Sequence, residues 1–101
     1  MDIGYITKAI EEKRISATVH AINRMHERNI MIDDILEAII IGEVIEEYHD
    51  DYPYPSCLII GICMGRIMHV VCSFSDPVHI ITAYEPNDRE WNDDFRTRRK
   101  V

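Results

Sequence analysis

The feature that most constrains this chain is a change of hydrophobic period at Gly42. Before it, apolar residues recur three and four apart. After it, they alternate or run continuously, with an excess of Ile and Val, whose branched side chains suit a pleated strand. A chain whose helical half precedes its strand half must lay helices on a sheet, so the expected class is α+β. With 101 residues it can bury one hydrophobic core, and residues 1–101 are read as a single domain.

In the helical half, Ile3, Ile6 and Ile10 predict a short amphipathic helix over residues 2 to 13. Ser16 stands where an N-cap belongs, opening a second helix over residues 17 to 28 that Asn29 closes in a left-handed conformation. On a helical wheel Thr18, Val19, Ala21, Ile22, Met25 and His26 share one side, and His20, Asn23, Arg24, Glu27 and Arg28 share the other. A third helix, residues 32 to 41, carries Asp33 and Asp34 in its first turn, where they suit the helix dipole, and stops at Gly42.

The strand half divides at its turns. Strands are expected at residues 43 to 49, 57 to 63, 66 to 74 and 78 to 84, separated by DYPYPS, by a two-residue turn at Met64 and Gly65, and by Asp76 and Pro77. Connections this short impose antiparallel pairing. After Pro86, Asp88 reads as the N-cap of a short terminal helix that Trp91 and Phe95, four apart, would pin to the sheet. The expected architecture is therefore N-terminal helices packed on a four-stranded antiparallel sheet with a short C-terminal helix. It leaves one sheet face open as the place for a site.

Charge narrows the chemistry. The net charge of -7 argues against unaided binding to nucleic acid. Residues 29 to 65 hold eight acids and no Lys or Arg, whereas Arg96, Arg98, Arg99 and Lys100 crowd the far end, so an anion site must draw on the ends of the chain. Cys57, Cys63 and Cys72 are odd in number, lack CxxC spacing and sit in strand-like runs, which reads as buried reduced thiols. No zinc spacing and no cofactor motif is present, so neither a metal nor a cofactor is expected. With no apolar run near the roughly 18 residues of a membrane span, and no basic, apolar leader, the expected place is the cytoplasm, away from membranes.

Three candidates for chemistry remain. His20, Arg24 and Arg28 are spaced by four and could grip a phosphate or carboxylate together; equally they form a solvated face that Glu27 and nearby acids neutralise. His69, inside IMHVV, reads either as a catalyst or as a hydrogen-bonded residue of the sheet face, while His26 and His79 read as structural. Tyr84 either presents its hydroxyl at a sheet edge or anchors the chain before Pro86. GxSxG, HExxH and Walker sequences are absent.

Taken in order, HAINRMHERNI, ILEAIIIGEVIEEYHDDYPYPSCLIIG, GRIMHVVCS, IITAYEPNDREW and DFRTRR resemble the small prokaryotic family called domain of unknown function (DUF) 4258, over about residues 16 to 98. Met31 departs from that pattern, which has a Ser or Thr cap there, so the resemblance leaves the start of the third helix open. The resemblance implies a RelE-like fold, shared with the RelE and BrnT toxins, many of which cleave RNA without a metal by helping the 2′-OH attack the phosphodiester. On that basis the catalytic residues would be His20, His69 and Tyr84, with either histidine as proton carrier and Tyr84 as donor or stacking platform. Arg24, Arg28 and Arg98 would bind the phosphate. The partners implied are RNA and an antitoxin protein. A homodimer is also open, through an edge strand at 43 to 49 that Glu43, Glu46 and Glu47 nonetheless protect. The alternatives are a noncatalytic protein-binding module of the same fold and a small enzyme acting on an anionic metabolite.

Overall fold

The computed structural model describes residues 2–100. The chain runs through α1 (Ile3–Glu11), β1 (Ile15–Ala17), α2 (Val19–Glu27), α3 (Ile32–Ile40), β2 (Glu43–Tyr48), β3 (Ser56–Cys63), β4 (Arg66–Ser73) and β5 (Val78–Tyr84). The α+β class stands, and all three helices precede β2 to β5, but β1 falls between α1 and α2. The sheet, however, has five strands in the order β1-β5-β4-β3-β2, and β1 lies parallel to β5 while the remaining pairs are antiparallel.

The extra strand corrects the four-stranded expectation, and its cause is local. Ile-Ser-Ala is too short to show a period, and a serine just before a helical pattern imitates a cap. Ser16 lies inside β1, opposite His79. The true cap of α2 is Thr18, whose hydroxyl accepts the Ala21 N–H at 3.0 Å. At α3, Met31 offers no capping oxygen, and the Asp34 carboxylate supplies the reciprocal half by accepting the Met31 N–H at 3.1 Å. Asn29 closes α2 at φ 56°, the left-handed conformation its short polar side chain tolerates.

The main core lies between the helices and one face of the sheet. There Ile6, Met25, Ile35 and Ile39 meet Cys57, Ile59, Met68, Val70 and Ile80. All three cysteines are buried thiols. The α3–β3 crossing is close: a Cβ on Gly61 would stand 2.0 Å from the Ala38 carbonyl oxygen. Met64 (φ 52°) and Gly65 (φ 77°) form the tight β3–β4 turn that their sequence predicts.

The second correction concerns the C-terminus, where no helix follows Asp88. The Asn87 side-chain oxygen Oδ1 takes the N–H groups of Arg89 and Glu90, and the Asp94 carboxylate takes those of Arg96 and Thr97. Trp91 pairs with Arg98 in an isolated antiparallel bridge, and Phe95 turns the chain at φ 56°. Short polar side chains that satisfy nearby backbone donors compete with a helix, and here they win. Residues 86–100 form a folded-back strap instead. It crosses the sheet face expected to be open, and Leu58, Ile60 and His69 on that face are buried together with Trp91.

Candidate functional site

Strand register builds the polar cluster on the strap side. His69 on β4 pairs directly with Tyr84 on β5 and, on its other side, with Ile60 on β3. The His69 and Tyr84 rings lie 5.3 Å apart, and Nδ1 is 3.3 Å from the Tyr84 hydroxyl. The other nitrogen, Nε2, is 2.7 Å from the Phe95 carbonyl oxygen. Because that oxygen can only accept, Nε2 carries the proton, and in the neutral ring Nδ1 accepts from Tyr84. Trp91 meets the imidazole edge-on with centroids 4.5 Å apart, sealing it from solvent.

Beyond Trp91 lies Arg98, with its guanidinium carbon 4.6 Å from the indole centroid. It holds Glu46 of β2 through two hydrogen bonds, of 2.8 and 3.1 Å, and Tyr48 donates to the same carboxylate at 2.5 Å. Arg96 pairs with Glu43, three residues before Glu46 on β2. Burial pushes the His69 imidazole below its ordinary value; the Phe95 carbonyl and Glu46 pull it back only in part, and Arg98 lowers it further. Burial raises the Tyr84 phenol as well, and it raises Tyr48 to about 12 with help from Glu46. For Glu46 burial acts upward, but the Arg98 and Tyr48 hydrogen bonds and the Arg98 charge outweigh it and hold the carboxyl low.

Of the six residues singled out in the sequence, the structure brings His69, Tyr84 and Arg98 together around Trp91. His20 and Arg24 stand on α2, whose Ala21 and Met25 turn into the core, while Arg28, its C-cap, lies close enough to Tyr84 for its charge to lower the phenol that burial raises. His20 is exposed, and Arg24 pairs with Glu27 at 3.6 Å. Arg28 reaches across to β5, donating to the Ala83 carbonyl at 2.8 Å and lying 3.4 Å from the Thr82 hydroxyl. His26 is exposed on α2, and the half-buried His79 faces Tyr54 with ring centroids 6.3 Å apart.

Glu46, Tyr48 and the Phe95 carbonyl were missed in the sequence. No spacing links residue 46 to residue 98, so only a lone Trp amid charged residues pointed to this cluster. A second feature was missed altogether. Between α2, the α2–α3 turn and β1 runs an apolar groove of about 420 Å³, lined by Ile15, Ala17, Ile22, Met25, Met31 and Ile32, among others. Another cleft, of about 490 Å³, lies on the strap between Arg89, Glu90, Arg98, Arg99 and Lys100. Among the described residues, no group of His, Cys, Asp and Glu is arranged to hold a metal ion, and no helix is long and apolar enough to cross a membrane.

An α+β domain with helices on one sheet face and a buried imidazole under a strap on the other is what fold and site define. The chain belongs to the family described as Domain of unknown function (DUF4258), whose family model matches residues 17–85. That span contains His20, Arg24, Arg28, His69 and Tyr84 and stops short of the strap, so Trp91 and Arg98 lie outside it. No curated protein and no solved structure matches the chain.

Proposed function

We propose that the chain is a noncatalytic protein-binding module built on a RelE- or BrnT-like frame. The observation that carries this reading is the state of His69. A proton carrier must touch its substrate, and this imidazole is buried with both nitrogens already hydrogen-bonded to Phe95 and Tyr84. The phosphate clamp is engaged in a similar way. Arg98 is neutralised by Glu46, Arg24 has Glu27 beside it, and Arg28 is turned onto a backbone carbonyl. The apolar groove along β1 instead offers surface of the kind that proteins bury against each other.

The competing reading, a metal-independent ribonuclease, draws on the strap cleft, where Arg89, Arg98, Arg99 and Lys100 outnumber Glu90. One experiment separates the two. The purified chain and an Arg24→Ala, His69→Ala double variant are incubated with structured and single-stranded RNA, and each is expressed in bacteria. The binding module leaves RNA intact and growth unaffected in both cases. Cleavage by the wild type that ends in 2′,3′-cyclic phosphate and is absent from the variant establishes the ribonuclease instead.

A further inference from the structure

The binding-module reading leaves open which surface binds and what it binds. We infer that the groove beside β1 receives an extended segment of another protein, one that alternates aliphatic and acidic residues and joins the sheet as a sixth strand. The inference rests on the module reading and adds the docking surface and the chemistry of the partner.

The two edges of the sheet are built differently. β2 has the features that deter strand addition: a register shift between Val44 and Glu46 interrupts its ladder, and Glu43 and Glu46 are held by Arg96 and Arg98 of the strap. At the other edge β1 pairs only with β5 among the described strands, and Ile-Ser-Ala carries no charge, proline or bulge. An edge strand keeps one row of N–H and C=O groups outside its ladder, and such a row is a template for another strand.

The groove lies where the side chains of that strand would go. Ile15 and Ala17 pack toward the helix-side core, so every second residue of a chain laid along β1 would point the same way, into the groove. Its rim is apolar and uncovered: Ile22 is 50%, Met31 66% and Ile32 40% exposed. These side chains call for aliphatic groups on the partner.

Charge identifies the remaining positions. Residues 13 to 28 hold four Lys or Arg and a single acid, in a chain of net charge -7. Within that stretch Arg14 is neutralised by Glu12 and Asp76, Arg24 has Glu27 at 3.6 Å and Arg28 is turned onto the Ala83 carbonyl, leaving Lys13, two residues before β1, and His26, in the groove lining, as its basic border. Acidic residues on the solvent side of the added strand complement that border. A second copy of this chain fits less well. Its own β1, Ile-Ser-Ala, brings no acid, and Glu43 and Glu46 of β2 are occupied within their own molecule.

The test uses the full chain labelled with nitrogen-15 and a capped heptapeptide alternating isoleucine and glutamate. Two control peptides accompany it, one with lysine in place of glutamate and one N-methylated on alternate amides. The expected result is saturable movement of the Ile15, Ser16 and Ala17 amide signals. The lysine peptide should bind about tenfold more weakly, and the N-methylated peptide should not bind. Lys13→Glu, an exposed position two residues before β1, should reverse the preference for glutamate over lysine, and Ile22→Asp, also exposed, should weaken both peptides. Several results overturn the proposal: no movement at β1, equal binding of the N-methylated peptide, or movement that tracks protein concentration with a dimer by light scattering. The last would assign the groove to a second copy. RNA cleavage by the wild type would refute the module reading whatever the peptides do, whereas intact RNA with no peptide response would refute the docking proposal alone.

Discussion

Burial of the His69 imidazole beneath Trp91 ties stability to pH at one residue. Its folded pKa is lowered, so between that value and the unfolded pKa of about 6.5 the unfolded chain binds more protons than the folded one. The stability it contributes is complete above pH about 6.5 and declines as the pH falls toward the folded value. The urea midpoint should therefore drop between pH 7 and 5. A His69→Phe variant should lose about 2 kcal/mol at pH 7, because Phe95 and Tyr84 lose their partner, yet show a flatter profile over that interval. Glu46 is depressed, so its contribution persists above the unfolded value of about 4.3 and fades only below it. Gly61 is the other sensitive residue. An alanine there must push its methyl into the Ala38 carbonyl, and it should cost about 2–4 kcal/mol by urea denaturation without changing the surface.

Elements differ in how much they owe to their own sequence. The three helices were legible because Ile3, Ile6 and Ile10, then Ala21 and Met25, then Ile35 and Ile39 recur at helical spacing, and the second and third stop before Asn29 and Gly42. Strands β2 to β5 were legible because their turns carry proline, glycine or aspartate. β1 was not, since three residues have no period and its pairing with β5 is a tertiary decision. The strap was misread because capping residues close a helix and a tight loop with the same hydrogen bonds; Asn87 and Asp94 do the latter. Its hold on the sheet can be loosened at one point. Arg98→Ala removes the bidentate bond to Glu46 and the cover on Trp91. With Arg98 about half exposed it should cost only about 1 kcal/mol, while the single tryptophan shifts its emission to longer wavelength as it meets water. Thr18→Ala should cost about 1 kcal/mol, whereas Ser16→Ala, outside the cap, should leave helix content by circular dichroism unchanged.

Across the whole molecule, half of the candidate site could be read from the chain and half could not. His69, Tyr84 and Arg98 stand together because strand register and a returning terminus bring them there; alternation along VHIITAY would put Tyr84 on the face of Ile80, but a register shift in the β4–β5 pairing leaves Ile80 in the helix-side core and Tyr84 on the strap side. The row on α2 was drawn correctly on its wheel, but a wheel does not say which face of a sheet the helix will cover. The groove escaped notice because Ile22 sat on the apolar side of its wheel and Met31 was read only as a capping position, and hydrophobicity alone does not separate a packed side chain from one awaiting a partner.

β1 also fixes the order in which the molecule can assemble. The β3–β4 hairpin closes through a two-residue turn, whereas β1 must find β5 across most of the chain, Ile15 beside Val78. Distant closures of this kind slow folding. The hairpin should be native-like in the transition state, so Gly65→Val, which forces a branched residue into a left-handed turn, should slow refolding in stopped-flow traces. Ala17→Gly should chiefly hasten unfolding. Until β1 arrives, the margin of β5 lies bare, and a newly made chain passes through a moment of self-stickiness that the finished one has largely closed.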